Sequence, residues 1–200
     1  MSGAAVTYHS SDYIQANRWD KRNLRIVQDT VAPQPGERLL EVGCGRGHMV
    51  KALRAEGVDA RGVDLNPTIV EHGVVPEHLG AMSADDLRFD DGAFDVVISF
   101  HMIEHVPSVP PVLAELVRVL RPGGRLLMVY PREPVRGLFA TGASWVMYGH
   151  PFRARHIHRH TVRPRTLEPA LSLLGMTDLA SRFLLLTTPQ FTTVGRKREA

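Results

Sequence analysis

Two hundred residues, 44% hydrophobic and 22% charged, suffice for one domain with its own core and are ordinary for a globular chain. No stretch approaches the roughly 18 consecutive apolar residues that cross a bilayer, the first residues lack the basic-then-apolar order of a secretory leader, and a single cysteine, Cys44, excludes an internal disulfide, so a cytoplasmic protein is expected. A net charge of +3 is too small to argue for nucleic acid, although His150–Arg165 carries five arginines, four histidines and no acid.

In chain order, residues 11–31 read as an N-terminal helix anchored by Ile14, Trp19, Leu24, Ile26 and Val27, and "APQPG" ends it. "RLLEVG" is a short strand closing on glycine, and "HMVKALRAEG" is a helix stopped by Gly57. Ala60–Asp64 is a second strand, and Pro67 opens a helix at "PTIVEHG". Phe94–Phe100, "FDVVISF", is an apolar strand suited to a sheet covered on both faces. "VPPVLAELVRVL" is a helix with Leu113, Leu116, Val117 and Leu120 inward; "RPGG" is expected to stop it before the strand "RLLMVY". Residues 132–163 break this rhythm with an apolar then basic insertion. A helix, Pro164–Leu174, and two β-like segments, "LASRFLLLTT" and "QFTTVGRKRE", complete one domain over residues 1–200. Apolar strands alternating with helices predict a parallel, doubly wound α/β sheet.

The stretch "LLEVGCGRGH" buries an acid, Glu41, in an apolar strand and follows it with Gly43, Gly45 and Gly47. Glycine is kept where a side chain would obstruct the backbone. In doubly wound folds this bend faces the ligand. The spacing is not the dinucleotide fingerprint G-x-G-x-x-G, because an acid comes first and the third glycine is one residue early. A carboxylate there suits a ligand bearing an ammonium group and repels a phosphate. Asp64 ends the second strand 21 residues after Gly43, where an acid can hold both hydroxyls of a ribose; as an alternative, Asp64 caps the helix that begins at Pro67.

The stretches "LLEVGCGRG", "GVDLN", "SADDLRFDDGAFDVVISFHMIEHV" and "LAELVRVLRPGGRLLMVYP", in this order, resemble the class I S-adenosylmethionine-dependent methyltransferases, in the manner of methyltransferase type 11 proteins. The resemblance covers residues 38–130 and implies a Rossmann-like sheet of seven strands in the order 3-2-1-4-5-7-6, the seventh antiparallel, with helices on both faces. It implies S-adenosylmethionine as cofactor. Glu41, Gly43, Gly45 and Gly47 would approach its methionine part, and Asp64 with Leu65 its ribose side. Ser83, Ala84 and Asp85 would lie at the adenine, with Ser83 standing where relatives often carry aspartate. The backbone from Ser99 to His101 would pass the methionine moiety.

Methyl transfer requires alignment of acceptor, methyl and sulfur, and often removal of the acceptor's proton. "HMIEH" offers His101, Glu104 and His105 at the end of the fourth strand. His105 is either a strand-end packing residue or a general base. The more distant resemblance to ubiquinone-pathway O-methyltransferases implies a third option, a divalent ion held by His101, Glu104, His105 and His156, a donor set suited to zinc. The insertion at residues 132–163, with Phe139, Trp145 and Tyr148 before its arginines, reads as a lid over a hydrophobic or aromatic acceptor with an acidic group. The expected activity is methylation of such a small molecule, preferably at oxygen. RNA methylation and a non-catalytic, cofactor-binding partner subunit are the rivals, and a homodimer is kept open. Aromatics at 6% are too sparse to favour a nucleic acid.

Overall fold

The computed structural model describes residues 20–132, 159–185 and 189–199. Its first helix, α1 (Lys21–Thr30), is capped by Asp20, whose carboxylate accepts the backbone N–H of Arg22 at 3.0 Å. The part of the expected N-terminal helix before Asp20 lies outside the described residues. Strand β1 (Arg38–Val42) leads through the glycine bend into α2 (His48–Ala55), which ends before Gly57 in the left-handed conformation at φ +86°. Strand β2 (Asp59–Asp64) is followed by α3 (Pro67–Glu71). Asn66, not Asp64, caps this helix: its side-chain oxygen accepts from the N–H groups of Thr68 and Ile69 at 3.0 and 3.4 Å. The capping alternative for Asp64 is thereby corrected.

Strand β3 (Leu79–Ala81) has three residues, too short for any period to announce it. Strand β4 (Phe94–Phe100) and helix α4 (Val109–Val119) follow. "RPGG" does not separate helix from strand as expected. Strand β5 (Leu120–Pro131) begins directly after α4, and its register with β4 jumps from Phe94↔Leu120 to Val96↔Arg125, so these residues form a bulge inside the strand. Helix α5 (Pro164–Leu173) precedes β6 (Met176–Leu185) and β7 (Pro189–Lys197).

The seven strands form one sheet in the order β3-β2-β1-β4-β5-β7-β6, with β7 antiparallel to both neighbours. Successive side chains point to opposite faces. Leu40, Val42, Val97, Leu126 and Met128 pack with Leu113 and Leu116 of α4 and with Leu167 and Leu171 of α5. Leu39, Val96, Ile98, Leu127 and Val129 pack on the other face with Ile26 and Val27 of α1 and with Met49, Val50 and Leu53 of α2. Both faces are therefore covered, which is why these strands read as continuous apolar runs. No helix among the described residues is long and apolar enough to cross a membrane. Strand order reverses between β1 and β4, and the crevice at this switch point is where such sheets take ligands.

Candidate active site

A cavity of about 330 Å3 opens there, within the size range of small-molecule sites. The glycine bend forms its floor. Gly43, Gly45 and Gly47 all hold positive φ, at +82°, +53° and +76°. Two of them also answer to the protein's own packing. A Cβ on Gly43 would lie 2.8 Å from Cβ of Met102, and one on Gly47 would lie 2.7 Å from the Leu79 side chain. The glycines thus serve the turn and its packing.

Glu41 is 5% exposed, and its Oε2 has no hydrogen-bond partner among the described residues. Burial pushes its carboxyl well above the usual carboxylate range, and the neighbouring Asp64 charge adds to the effect. A buried carboxyl oxygen left unpaired is costly in a finished protein. Here it borders the cavity, where a cation can complete it. Asp64 stands across the bend: Oδ2 accepts from the N–H of Gly45 at 2.9 Å and Oδ1 from Asn66 at 3.0 Å. Leu65, an apolar side chain left 70% exposed, lies at the cavity wall beside it. Further along the wall, Ser83 donates its hydroxyl to Oδ1 of Asp85 in a short hydrogen bond, with Ala84 between them.

At the other end the chain leaves β4 through His101, whose φ of +51° is unusual for a residue with a Cβ. His101 and His105 both line the cavity. Nδ1 of His101 and Nε2 of His105 lie 3.5 and 3.8 Å from the same oxygen, Oε1 of Glu104, which is wholly buried. Burial alone would raise the Glu104 carboxyl; contact with His101 and the charges of both histidines outweigh it and hold the group below its ordinary value. The turn is braced from the far side of the insertion. The N–H groups of Arg159 and His160 donate to the Glu104 carbonyl at 2.8 and 3.2 Å, and Nε2 of His160 lies 2.9 Å from the Val106 carbonyl oxygen.

Most of the residues singled out in the sequence come together here: Glu41, Gly43, Gly45, Asp64, Leu65, Ser83, Ala84, Asp85, His101 and His105 line one cavity. Gly47, Ser99 and Glu104 do not; Gly47 packs against Leu79, Ser99 is buried within β4, and Glu104 sits behind its histidines. His156, with Phe139, Trp145 and Tyr148, lies outside the described residues. Among the described residues no group of three His, Cys, Asp or Glu side chains comes together to hold an ion, and His156, the fourth member of the expected set, lies outside them. Sequence reasoning missed Asp20 and Asn23 at the start of α1, together with Met102, all of which line the cavity. The α1 residues carry no motif signal, and only the fold brings them to the bend.

The chain matches the methyltransferase-domain family over residues 14–181. It is 30% identical over 169 residues to the ubiquinone biosynthesis O-methyltransferase of Mesorhizobium japonicum, spanning 79% of this chain and 68% of that enzyme. Among solved structures, a SAM-dependent methyltransferase from Archaeoglobus fulgidus superimposes with a TM-score of 0.71 at 17% identity, covering 88% of this chain and 94% of that one. Phosphoethanolamine N-methyltransferase 2 of Haemonchus contortus, in complex with S-adenosyl-L-methionine, gives a TM-score of 0.73 at 15% identity, covering 97% of this chain and 59% of that one. The family match over most of the chain and the sheet order lead to one conclusion: the protein belongs to the class I S-adenosylmethionine-dependent methyltransferases and is an enzyme of that family.

Proposed function

We propose that the enzyme methylates a small hydrophobic or aromatic acceptor bearing an acidic group, preferably at oxygen. The observation that carries the cofactor half is Glu41, a buried carboxyl with an orphaned oxygen at the cavity floor. The residues present fit the cofactor's chemistry. Glu41 completes its ion pair with the methionine ammonium, and the bend at Gly43 and Gly45 admits the methionine chain close to the backbone. Asp64 would receive the ribose hydroxyls, with the exposed Leu65 beside it at the cavity wall. Asp85, oriented by Ser83, accepts from the exocyclic amine, which answers the serine found where relatives often carry aspartate. S-adenosylmethionine supplies a methyl group on a positively charged sulfur, open to displacement by a nucleophile.

On the acceptor side, His105 takes the acceptor's proton as the methyl group is attacked. Glu104 behind it stays ionised, stabilises the imidazolium that forms and holds the ring in place. The apolar character of residues 138–148 and the arginines that follow suit an amphiphile with an acidic end. The return of the chain at Arg159 and His160 onto the Glu104 turn ties the end of the insertion to this side of the cavity. The kinship with O-methyltransferases of ubiquinone biosynthesis supports oxygen as the acceptor atom.

Methyl uptake from labelled cofactor, screened in parallel over phenols, carboxylic acids, sugars and RNA, tests the proposal. Labelling of phenols or acids is expected. Labelling of RNA alone overturns the acceptor class, and a failure to bind the cofactor in calorimetry overturns the cofactor assignment.

A further inference from the structure

Two departures from ordinary local structure meet at one pair of residues. The first is the left-handed backbone of His101. Among the described residues only Ala32, His101 and Asp178 hold a positive φ without being glycine. Ala32 ends the turn after α1, and Asp178 sits at the register shift of β6. His101 alone of the three lines the cavity, where its backbone N–H is held by the Val129 carbonyl at 2.8 Å. Strain of this kind persists only where the surroundings over-determine it, and it gathers at functional sites.

The second departure is Gln190 on β7, paired with Pro131 of β5 and 3% exposed. Its Oε1 lies 3.1 Å from Nε2 of His101. Its own Nε2 is buried and has no partner among the described residues. A buried amide that satisfies its oxygen and orphans its nitrogen is a poor core residue; a leucine or methionine would fill the same space without an unmet donor. Among the described residues the amide is explained by its bond to a ring that came to this place through a strained backbone.

We propose that Gln190 is a positioning residue: its side-chain oxygen accepts the Nε2 hydrogen of His101 and fixes that ring as a wall of the acceptor site, which leaves proton removal to His105. The geometry gives the reason. With Gln190 Oε1 at Nε2 and Glu104 Oε1 at Nδ1, both nitrogens of His101 face oxygens of the protein; each is satisfied by donating, and a nitrogen that donates cannot also receive a proton. Among the described residues, Glu104 from its own turn and Gln190 from β7 face the ring. The first half of the proposal stands on this geometry alone; the assignment to His105 rests on the methyl-transfer reading above.

Long-range proton–nitrogen spectra of the histidine rings, recorded on the labelled cofactor-free protein, test the first half without any turnover. The His101 ring is expected to carry a hydrogen on Nε2, with slowed exchange. Gln190→Met, which keeps length but removes the acceptor, should speed that exchange, whereas Gln190→Glu should preserve the signal. An unprotonated Nε2 in the parent would mean that the amide lies the other way round and donates, and would overturn the proposal. So would identical His101 spectra in parent and Gln190→Met. Should Gln190→Glu fail to fold, the comparison with Gln190→Met still decides. For the second half, Gln190→Met should lower kcat by about tenfold or more with cofactor affinity unchanged, and Gln190→Glu should recover most of it; this loss is a fraction of the roughly 10²–10⁴ attached to the base itself. Unchanged turnover, or cofactor affinity falling in parallel, overturns the positioning role. If the parent methylates none of the acceptors tried, the methyl-transfer reading fails while the spectra still decide what Gln190 does.

Discussion

Replacing Glu41 by glutamine should improve the cofactor-free protein and damage the complex. The side chain is 5% exposed with an unpartnered oxygen, and burial, reinforced by the Asp64 charge, raises its carboxyl well above the usual range. Above the ordinary carboxylate value of about 4.3 the unfolded chain gives up this proton while the native protein keeps it. The native state then binds more protons than the unfolded one, so stability falls as pH rises through that window and stays low above it. Glu41→Gln keeps the shape and removes the titration. It should melt higher than the parent at about pH 8 and alike at about pH 4, each 1 kcal/mol appearing as roughly 2–4 °C for a chain of this size. Binding reverses the sign. An ammonium group against an ionised carboxylate makes a charge-assisted hydrogen bond worth about 1.5–3 kcal/mol, so the variant should bind S-adenosylmethionine about 10- to 150-fold more weakly. The parent should release a proton on binding, seen as a calorimetric heat that changes with the buffer. Equal affinity of parent and variant, or melting curves with the same pH dependence, would refute the reasoning.

Asp64→Ala removes a carboxylate that holds the N–H groups of Gly45 and Asn66 and is assigned to the ribose; affinity should fall about 10- to 100-fold in calorimetry, and a change under about twofold would remove the assignment. Asp85→Asn should erase a preference of the parent for S-adenosylhomocysteine over its inosine counterpart, measured as the ratio of the two dissociation constants; a ratio that does not move sinks the adenine role of Asp85. His105→Asn should lower kcat by roughly 10²–10⁴ while leaving cofactor affinity intact, because general base catalysis supplies about that much. Exhaustive chelation should leave the parent active, and loss of activity that zinc restores would revive the ion set that the described residues do not form.

That the chain folds as a doubly wound parallel sheet was legible because both of its faces are covered, whereas the order of the strands came from the family resemblance. "FDVVISF" and "RLLMVY" are continuous apolar runs, and each helix between strands shows one apolar side. Three-residue β3 was not legible, since its pairing to Gly62, Val63 and Asp64 is a tertiary fact with no local period. "RPGG" misled for a related reason: Gly and Pro punctuate local structure, yet here the sheet continues through them as a bulge. In the site, spacing pointed to Glu41 and Asp64, because the acid-glycine order is a local pattern. Gln190 could not be found this way, since it meets His101 from 89 residues away. The glycines show a subtler gap. The sequence suggested a backbone cleared for a ligand, but Met102 and Leu79 already occupy the space beside Gly43 and Gly47. A valine at 43 therefore strains the fold itself and cannot isolate binding.

Glu41, at the cavity, and Glu104, behind its two histidines, meet burial by opposite means. Both are buried, and burial by itself would raise both. Glu104 is answered from within the chain, by His101 and His105, and its carboxyl ends below the ordinary value. Its contribution to stability is accordingly present at neutral pH and lost only as pH falls through that depressed value. Among the described residues Glu41 Oε2 has no such answer; the neighbouring charge of Asp64 is of the same sign, and the carboxyl ends above the ordinary value. An acid completed by the protein can orient catalytic side chains before any ligand arrives. An acid left incomplete makes the native state weaker by itself and gives a cationic ligand more to gain on entering. On this argument the acceptor end is preorganised, and the cofactor end is tuned to be finished by what it binds. Cofactor should therefore stabilise the parent more than Glu41→Gln at about pH 8, by an excess that fades as pH falls toward about 4.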